Sequence, residues 1–308
     1  MDRTALLERM MLIRAFEAAL MARADHGFQL LSTGEEAVAA GLCASLGPGD
    51  QLLSSGRSIG PALARGLDPG AVMGELLGKL NGTNKGRGGR GHIARPDQGL
   101  FGAHAVVGGN IAVAAGVALA AQVAADGRLA ACLFGDGACG SGALHETMNL
   151  AALWQLPLLL VCNNNHLAIS TPVERGVAAS RLTDLAKPFG IAHASVDGMD
   201  AVAVVETAAG AVAHIRAGRG PYFLECHSER FAPHSSATRE TRPPAEMAAL
   251  WARCPIARLR TAMLASGELT AARLAAIEAE IGGAVRAALA AADAADFPDP
   301  RDLLDDVG

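Results

Sequence analysis

The sequence predicts an α/β fold: a parallel sheet covered by helices on both faces, with further helices at the N- and C-terminal ends. Three observations lead there. Leu129 to Phe134 and Pro157 to Cys162 are runs of strand length that are apolar throughout, as strands buried on both faces are, and Tyr222 to Cys226 reads as the last central strand. Helix-length stretches, Gly142 to Leu153 and Ala201 to Arg216, lie between such runs, so strands and helices alternate. The first segment carries Leu6, Met10, Ile13, Phe16 and Leu20 at helical spacing, a stripe that reads as packing.

Taken in order, the chain opens with a helix over Thr4 to Ala24. Gly34-Glu35-Glu36-Ala37 starts a second helix, which runs to Leu46 and stops at the Gly47-Pro48-Gly49-Asp50 turn. Carboxylates suit the positive end of a helix, which accounts for Glu35 and Glu36 without a functional role. Gln51 to Ser54 reads as a short strand followed by Ser55-Gly56-Arg57-Ser58-Ile59-Gly60, and a helix covers Pro69 to Lys79. The Gly- and Arg-rich run from Asn81 to His92 lacks interleaved aromatics and reads as an ordered loop, not an RNA-binding segment. Gly102 to Asn110 leads into a helix through Ala125. Pro172 to about Ser180 reads as a loop, Arg181 to Phe189 as a helix and His193 to Val196 as a strand, with helices again near Ile256 to Met263 and Thr270 to Ala292. The Asp-rich end after Phe297 is expected to fray.

Composition narrows the function classes. With 308 residues, 51% of them hydrophobic, the chain can bury a large core. No apolar run approaches the roughly 20 residues of a membrane span, and Met1-Asp2-Arg3 does not begin a signal peptide. A net charge of -5 gives no reason to expect nucleic acid. The six cysteines contain no C-x-x-C pair, which suits reduced core thiols in a cytoplasmic protein. His145 has no second His at i+4, so a zincin reading fails.

Chemistry concentrates between Gly135 and Leu167. Two parallel strands joined by a helix end at the same edge of the sheet, so Asp136 and Asn165 emerge side by side where open α/β sheets bind ligands. A carboxylate, an amide oxygen and a backbone carbonyl are hard donors that suit magnesium bridging to phosphates. Gly135 and Gly137 permit a tight turn, and amides opening the next helix can face phosphate oxygens. Gly135, Gly137 and Gly140 also satisfy the dinucleotide fingerprint G-x-G-x-x-G, so a nicotinamide-dependent oxidoreductase is a competing reading. Against it, Asp136 would face an unmetallated pyrophosphate, and the second strand ends in Asn163-Asn164-Asn165 where an acidic residue should meet the ribose.

The line GDGACGSGALHETMNLAALWQLPLLLVCNNNHLAIST at Gly135 to Thr171, with GRGGRGHI at Gly86 to Ile93 and VDGMD at Val196 to Asp200, resembles the signature of thiamine-diphosphate enzymes. The likeness is greatest to the alpha subunit of the 2-oxo acid and acetoin dehydrogenases, of the pyruvate dehydrogenase kind. It extends from about Arg14 to Arg260, the core of a single thiamine-diphosphate-binding domain over residues 1–308 with a helical C-terminal extension over about 244–295. The resemblance implies that Asp136, the Asn165 side chain and the Leu167 carbonyl bind Mg2+, and that Gly137 and Ala138 lie on the diphosphate. It carries Arg57 over as a phosphate ligand, the Val107 backbone as a contact of the aminopyrimidine ring, and His234 as a diphosphate-side or carbonyl-side donor beside Arg230 and Ser235. His104, where the family commonly has Asn, is a candidate relocated proton-transfer group. The chain departs from the family where Gly-Gln-Glu-Ala becomes Gly34-Glu35-Glu36-Ala37, where Gly56 and Ile59 replace a Tyr and a His, where Arg90 and Gly91 interrupt the Gly-rich loop, and at Ala232.

The reaction implied by the resemblance is decarboxylation of a 2-oxo acid, or cleavage of acetoin, with acyl transfer to a lipoyl group on an acyltransferase. The thiazolium-activating Glu of the family belongs to a beta subunit, so the active site is expected at an interface in a heterotetramer of two alpha and two beta chains. Two alternatives keep the thiamine clamp: a decarboxylase or ketol transferase with altered chemistry, and a cofactor-binding subunit that mainly builds an assembly.

Overall fold

The computed structural model describes residues 1–305. The N-terminal part supplies α1 (Arg3–Met21), α2 (Glu36–Ser45), β1 (Gln51–Ser55), α3 (Ile59–Ala64) and α4 (Pro69–Leu76). Next come β2 (Leu100–His104), α5 (Gly109–Ala124), β3 (Ala130–Gly135), α6 (Gly142–Trp154) and β4 (Leu158–Asn164). A small hairpin, β5 (Leu167–Ala168) and β6 (Thr171–Pro172), and the single turn α7 (Val173–Gly176) come after it. The sheet is completed by β7 (Ala192–Asp197) and β8 (Tyr222–His227) around α8 (Ala201–Arg216), and the chain continues into α9 (Pro244–Ala252), α10 (Pro255–Ser266) and α11 (Ala271–Ala294).

Among the described residues the main sheet has six strands in the order β2-β1-β3-β4-β8-β7, every neighbouring pair parallel. Alternation along each strand divides the core between its two faces. Leu52, Ala131, Leu133, Leu159, Val161 and Leu224 pack with α1, α2, α3, α4, α8 and α11. Leu53, Cys132, Phe134, Leu160, Cys162 and Phe223 pack with α5, α6 and the 3-10 helix Leu182–Phe189. This is the doubly covered α/β sheet expected of the sequence, with helices at both chain ends: α1, α10 and α11 enclose a third cluster around Leu7, Met10, Met263 and Ile277.

Strand order places the site. From β1 the chain moves outward to β2 and then returns to lay β3 on the other side of β1. Connections leaving β1 and β3 therefore diverge, and a crevice opens at their carboxyl ends, the place where sheets of this kind bind ligands.

Several elements differ from the sequence reading. The segment read as a lead into α5 contains strand β2, a five-residue edge strand whose Gly102 and exposed Phe101 give no apolar run. Gly60-Pro61 lies inside α3, where proline is tolerated in the first turn. Leu182–Phe189 is a 3-10 and not an α-helix, with Pro188 inside it. The expected loop after the site contains β6 and α7. The tail after Phe297 is not frayed in its described part: Pro300–Leu304 forms a 3-10 helix, Arg87 donates to the carbonyls of Asp302 and Asp305 at 2.7 and 2.9 Å, and Lys79 Nζ lies 3.8 Å from the Phe297 ring centroid. Residues 306–308 of that expectation lie outside the described ones.

Candidate cofactor and metal site

A cavity of about 280 Å³ occupies the β1–β3 crevice. Its floor is the carboxyl edge of the sheet. Gly135 ends β3, a 3-10 turn covers Asp136–Ala138, and α6 begins only at Gly142. Gly137 is required by close approach: a Cβ there would lie 2.9 Å from the Ala168 Cβ. Because β3 and β4 pair in parallel with Gly135 opposite Asn163, the segments after the two strands meet at the cavity.

Asp136 is buried, and one of its oxygens, Oδ2, has no hydrogen-bond partner. Burial foremost, with Glu35 nearby, pushes its carboxyl up to about 6, against the pull of the backbone N–H groups of Asp136 and Gly137. An orphaned carboxylate oxygen in a cavity is costly to bury and is what a cation would relieve. The Asn165 amide oxygen accepts the Leu167 N–H at 3.1 Å, folding the chain so that both residues line the same wall. His166 and Ile169 sit at φ of 66° and 62° in this loop, left-handed conformations that L residues adopt at a cost of about 1 kcal/mol or more each. Among the described residues no cluster of three or more His, Cys, Asp or Glu side chains could hold a metal. A cation here depends on one carboxylate together with amide and carbonyl oxygens, the donor set that magnesium accepts.

The rim comes from distant segments. Arg57, after β1, donates to the Leu31 carbonyl at 2.6 Å and the His234 carbonyl at 3.3 Å, while its Nε lies 3.6 Å from Glu35. His234 lines the cavity with its Nδ1 buried and unpartnered. Burial, then the charges of Arg57, Arg230 and Arg90, hold its imidazole below the usual value and hence neutral at neutral pH. Arg230 reaches the Ile169 carbonyl at 3.1 Å and the Leu167 carbonyl at 3.5 Å. Backbone bonds from Phe231 to Thr33 and from Ser236 to Gln29 fasten the segment after β8 to the segment before α2. Val107 stands at the mouth.

Of the residues singled out in the sequence, Arg57, Val107, Asp136, Gly137, Ala138, Asn165, Leu167 and His234 all line this cavity. His104 does not. It ends β2 with its Nδ1 accepting the Val106 N–H at 2.9 Å and its ring against His92, centroids 5.3 Å apart. The dinucleotide fingerprint loses its context, since a 3-10 turn separates β3 from α6 where the fingerprint requires a strand running directly into a helix.

The sequence profile described as Dehydrogenase E1 component matches residues 3–301. The chain belongs to the dehydrogenase E1 component family. The alpha subunit of acetoin:2,6-dichlorophenolindophenol oxidoreductase from Cupriavidus necator is 37% identical over 316 residues, covering 100% of this chain and 95% of that protein. Its counterpart from Bacillus subtilis is 35% identical over 283 residues, covering 91% and 84%. The pyruvate dehydrogenase E1 component subunit alpha of Zymomonas mobilis is 38% identical over 246 residues, covering 76% and 68%. Membership in an E1 dehydrogenase family makes the chain part of an oxidoreductase and removes the nicotinamide reading.

Glu35 is the site residue that sequence reasoning missed. It caps nothing with its side chain. Instead the carboxylate faces the cavity, accepting Asn165 Nδ2 at 2.6 Å and Asn163 Nδ2 at 2.9 Å. Its neighbour Glu36 is turned away, paired with Arg14 and accepting the Gly34 N–H. The signal available was the departure from Gln at this position, which helix electrostatics explained too readily.

Proposed function

We propose that this chain is the alpha subunit of a thiamine-diphosphate- and magnesium-dependent dehydrogenase of the cytoplasm that acts on acetoin or a 2-oxo acid together with a beta subunit in an α2β2 assembly, and passes the acyl group to a lipoyl carrier. The observation that carries the cofactor reading is the unpartnered buried Oδ2 of Asp136 in a cavity that also contains Asn165, Leu167, Arg57 and His234.

In this reading Asp136, the Asn165 amide oxygen and the Leu167 carbonyl hold Mg2+, which neutralises charge on the diphosphate. The backbone at Gly137 and Ala138, where a larger residue than Gly137 would not fit, lies along the diphosphate. Arg57 adds a guanidinium from the rim and Val107 offers its backbone to the aminopyrimidine ring. Bound thiamine diphosphate supplies the carbanion-stabilising chemistry. The chain's own part is to bind and orient. His234, neutral through burial and its cationic neighbours, holds one ring proton at the cavity wall where it can donate to substrate or diphosphate. His104 stands outside the cavity lining, where its Nδ1 accepts the Val106 N–H and so bears on the backbone at the mouth.

Support for a protein partner lies beside that mouth. Helix α5 runs from Gly109 to Ala124 without a charged residue and exposes Val113, Leu119 and Val123, the last 78% accessible, while Val106 and Val107 project at its start. Apolar surface of this kind marks interaction sites. Among the described residues no helix is long and apolar enough to cross a membrane.

Calorimetric titration of thiamine diphosphate with Mg2+, on the chain alone and with its beta subunit, tests the reading beside Asp136→Ala. The variant is expected to lose at least about 100-fold in affinity. Because the Asp136 Oδ2 is unpartnered and only the bonds from the backbone N–H groups of Asp136 and Gly137 are lost, the variant is also expected to lose no more than about 1 kcal/mol of stability. Absence of binding in every combination overturns the proposal.

A further inference from the structure

Glu35 occupies a place that no ordinary N-terminal carboxylate needs. It is 2% exposed, lies at the start of α2, and receives amide protons from two asparagines at the end of β4. Asn163 and Asn165 are two residues apart, so the strand alternation that sends Asn164 to the opposite face, where it donates to Glu225 at 2.8 Å, aims both of them at Glu35. Each amide is then pinned from its other end. Asn165 Oδ1 accepts the Leu167 N–H at 3.1 Å, and Asn163 Oδ1 accepts the Ser228 hydroxyl at 2.6 Å.

Such an arrangement determines amide orientation. Turning the Asn165 amide over would set its oxygen against a carboxylate oxygen and its NH2 against the Leu167 N–H, two repulsive contacts in place of two hydrogen bonds. A glutamine at position 35 has one acceptor oxygen and one NH2, so it satisfies one asparagine and opposes the other. Only a carboxylate accepts from both.

We propose that Glu35 is a positioning residue for the metal site: it holds Asn165 in the one amide orientation that offers oxygen, not NH2, to the cation. This rests on the reading of Asp136, Asn165 and Leu167 as the cation's ligands. Partners of metal ligands commonly carry 10- to 100-fold of metal affinity by fixing ligand orientation. In this chain the carboxylate also brings a negative charge to a cavity that must accept a diphosphate, with Arg57 3.6 Å away as its counter-charge.

The test is Mn2+ binding in place of Mg2+, monitored by electron paramagnetic resonance of the free ion in saturating thiamine diphosphate, on the full chain assembled with its beta subunit. Glu35→Ala is expected to raise the Mn2+ dissociation constant by about 10- to 100-fold, and the isosteric Glu35→Gln by less. Asn163→Ala, which removes the other bond of Glu35 and the bond from the Ser228 hydroxyl but leaves the Glu35–Asn165 bond in place, is expected to stay near the parent value. Equal affinity in the parent and both Glu35 variants overturns the proposal, as does an equal loss in Asn163→Ala, which would make Glu35 a general support of the strand end. A lowered melting temperature with unchanged Mn2+ affinity does so too, because a merely structural role moves stability alone. A parent that takes up no Mn2+, or an Asp136→Ala variant that still does, is a different failure: it removes the cofactor reading on which this inference stands.

Discussion

The floor and the rim of the cavity are built on opposite plans. Asp136, Gly137, Asn165 and Leu167 belong to one strand-helix-strand unit, set side by side by the parallel pairing of β3 with β4. Leu30, Ser32, Glu35, Arg57 and His234 come from three separate segments and meet only because backbone and side-chain bonds tie those segments together. The floor keeps an unsatisfied carboxylate oxygen, whereas the rim, apart from the unpartnered Nδ1 of His234, uses its side-chain polar groups largely to hold its segments together. Ligand affinity is thus expected to reside in the floor with little stake in folding, and the rim is expected to bear on both.

Gly34 is where this contrast can fail most plainly. It sits at φ of 102°, and a Cβ there would lie 2.2 Å from the Glu229 carbonyl and 2.9 Å from the Phe231 ring, so the two rim segments touch at this residue. Gly34→Ala is expected to cost about 3 kcal/mol, a fall in melting temperature on the order of 10 °C. A variant that melts with the parent would mean that the rim is not packed as described.

Arg57→Ala comes next. Removing the donors to the Leu31 and His234 carbonyls and the counter-charge to Glu35 is expected to cost about 1.5–3 kcal/mol of stability. The same variant should weaken thiamine diphosphate by roughly tenfold or more in calorimetry. Loss of affinity at unchanged stability would move Arg57 from the rim's plan to the floor's.

A pH slope is the mildest sign of the rim's plan. Glu17 on α1 anchors the rim by accepting the Ser32 N–H at 2.6 Å and the Thr33 hydroxyl at 2.8 Å. Burial first, then Glu36, pushes its carboxyl up to about 7 from 4.5. Between those values the native state holds a proton that the unfolded chain has released, so this group's contribution falls as pH rises from about 4.5 to 7 and is level above. Glu17→Gln should flatten that part of the decline. Melting temperatures of parent and variant at pH 5 and 7.5 decide it, and parallel declines would rule Glu17 out.

The same contrast explains what could be read from the sequence. The floor was legible because its geometry is local: two apolar runs, a helix between them, and Asp136 and Asn165 just past the strand ends. Arg57 and His234 were placed by resemblance alone, since nothing local says that segments 177 residues apart share a wall. Glu35 escaped because an acidic residue at a helix start has a sufficient explanation in the helix dipole, and its true partners are 128 and 130 residues away. Strand β2 escaped because an edge strand five residues long need not be apolar. His104, singled out for its chemistry, finds its partners in Val106 and His92, outside the cavity lining.

Asn163, Asn164 and Asn165 also bear on how the chain finds its alignment. A shift of one residue in a strand exchanges the two faces of the sheet, and here it would replace asparagine with asparagine. The preceding Leu158-Leu159-Leu160-Val161-Cys162 is equally apolar on both sides, so it penalises the error little. Discrimination is left to the carboxylates: Glu35 waits on one face for two amides and Glu225 on the other for one. Miscounting by one would leave one acid with too many donors and the other with too few, so the charges at the strand's end act as the proofreaders of its threading.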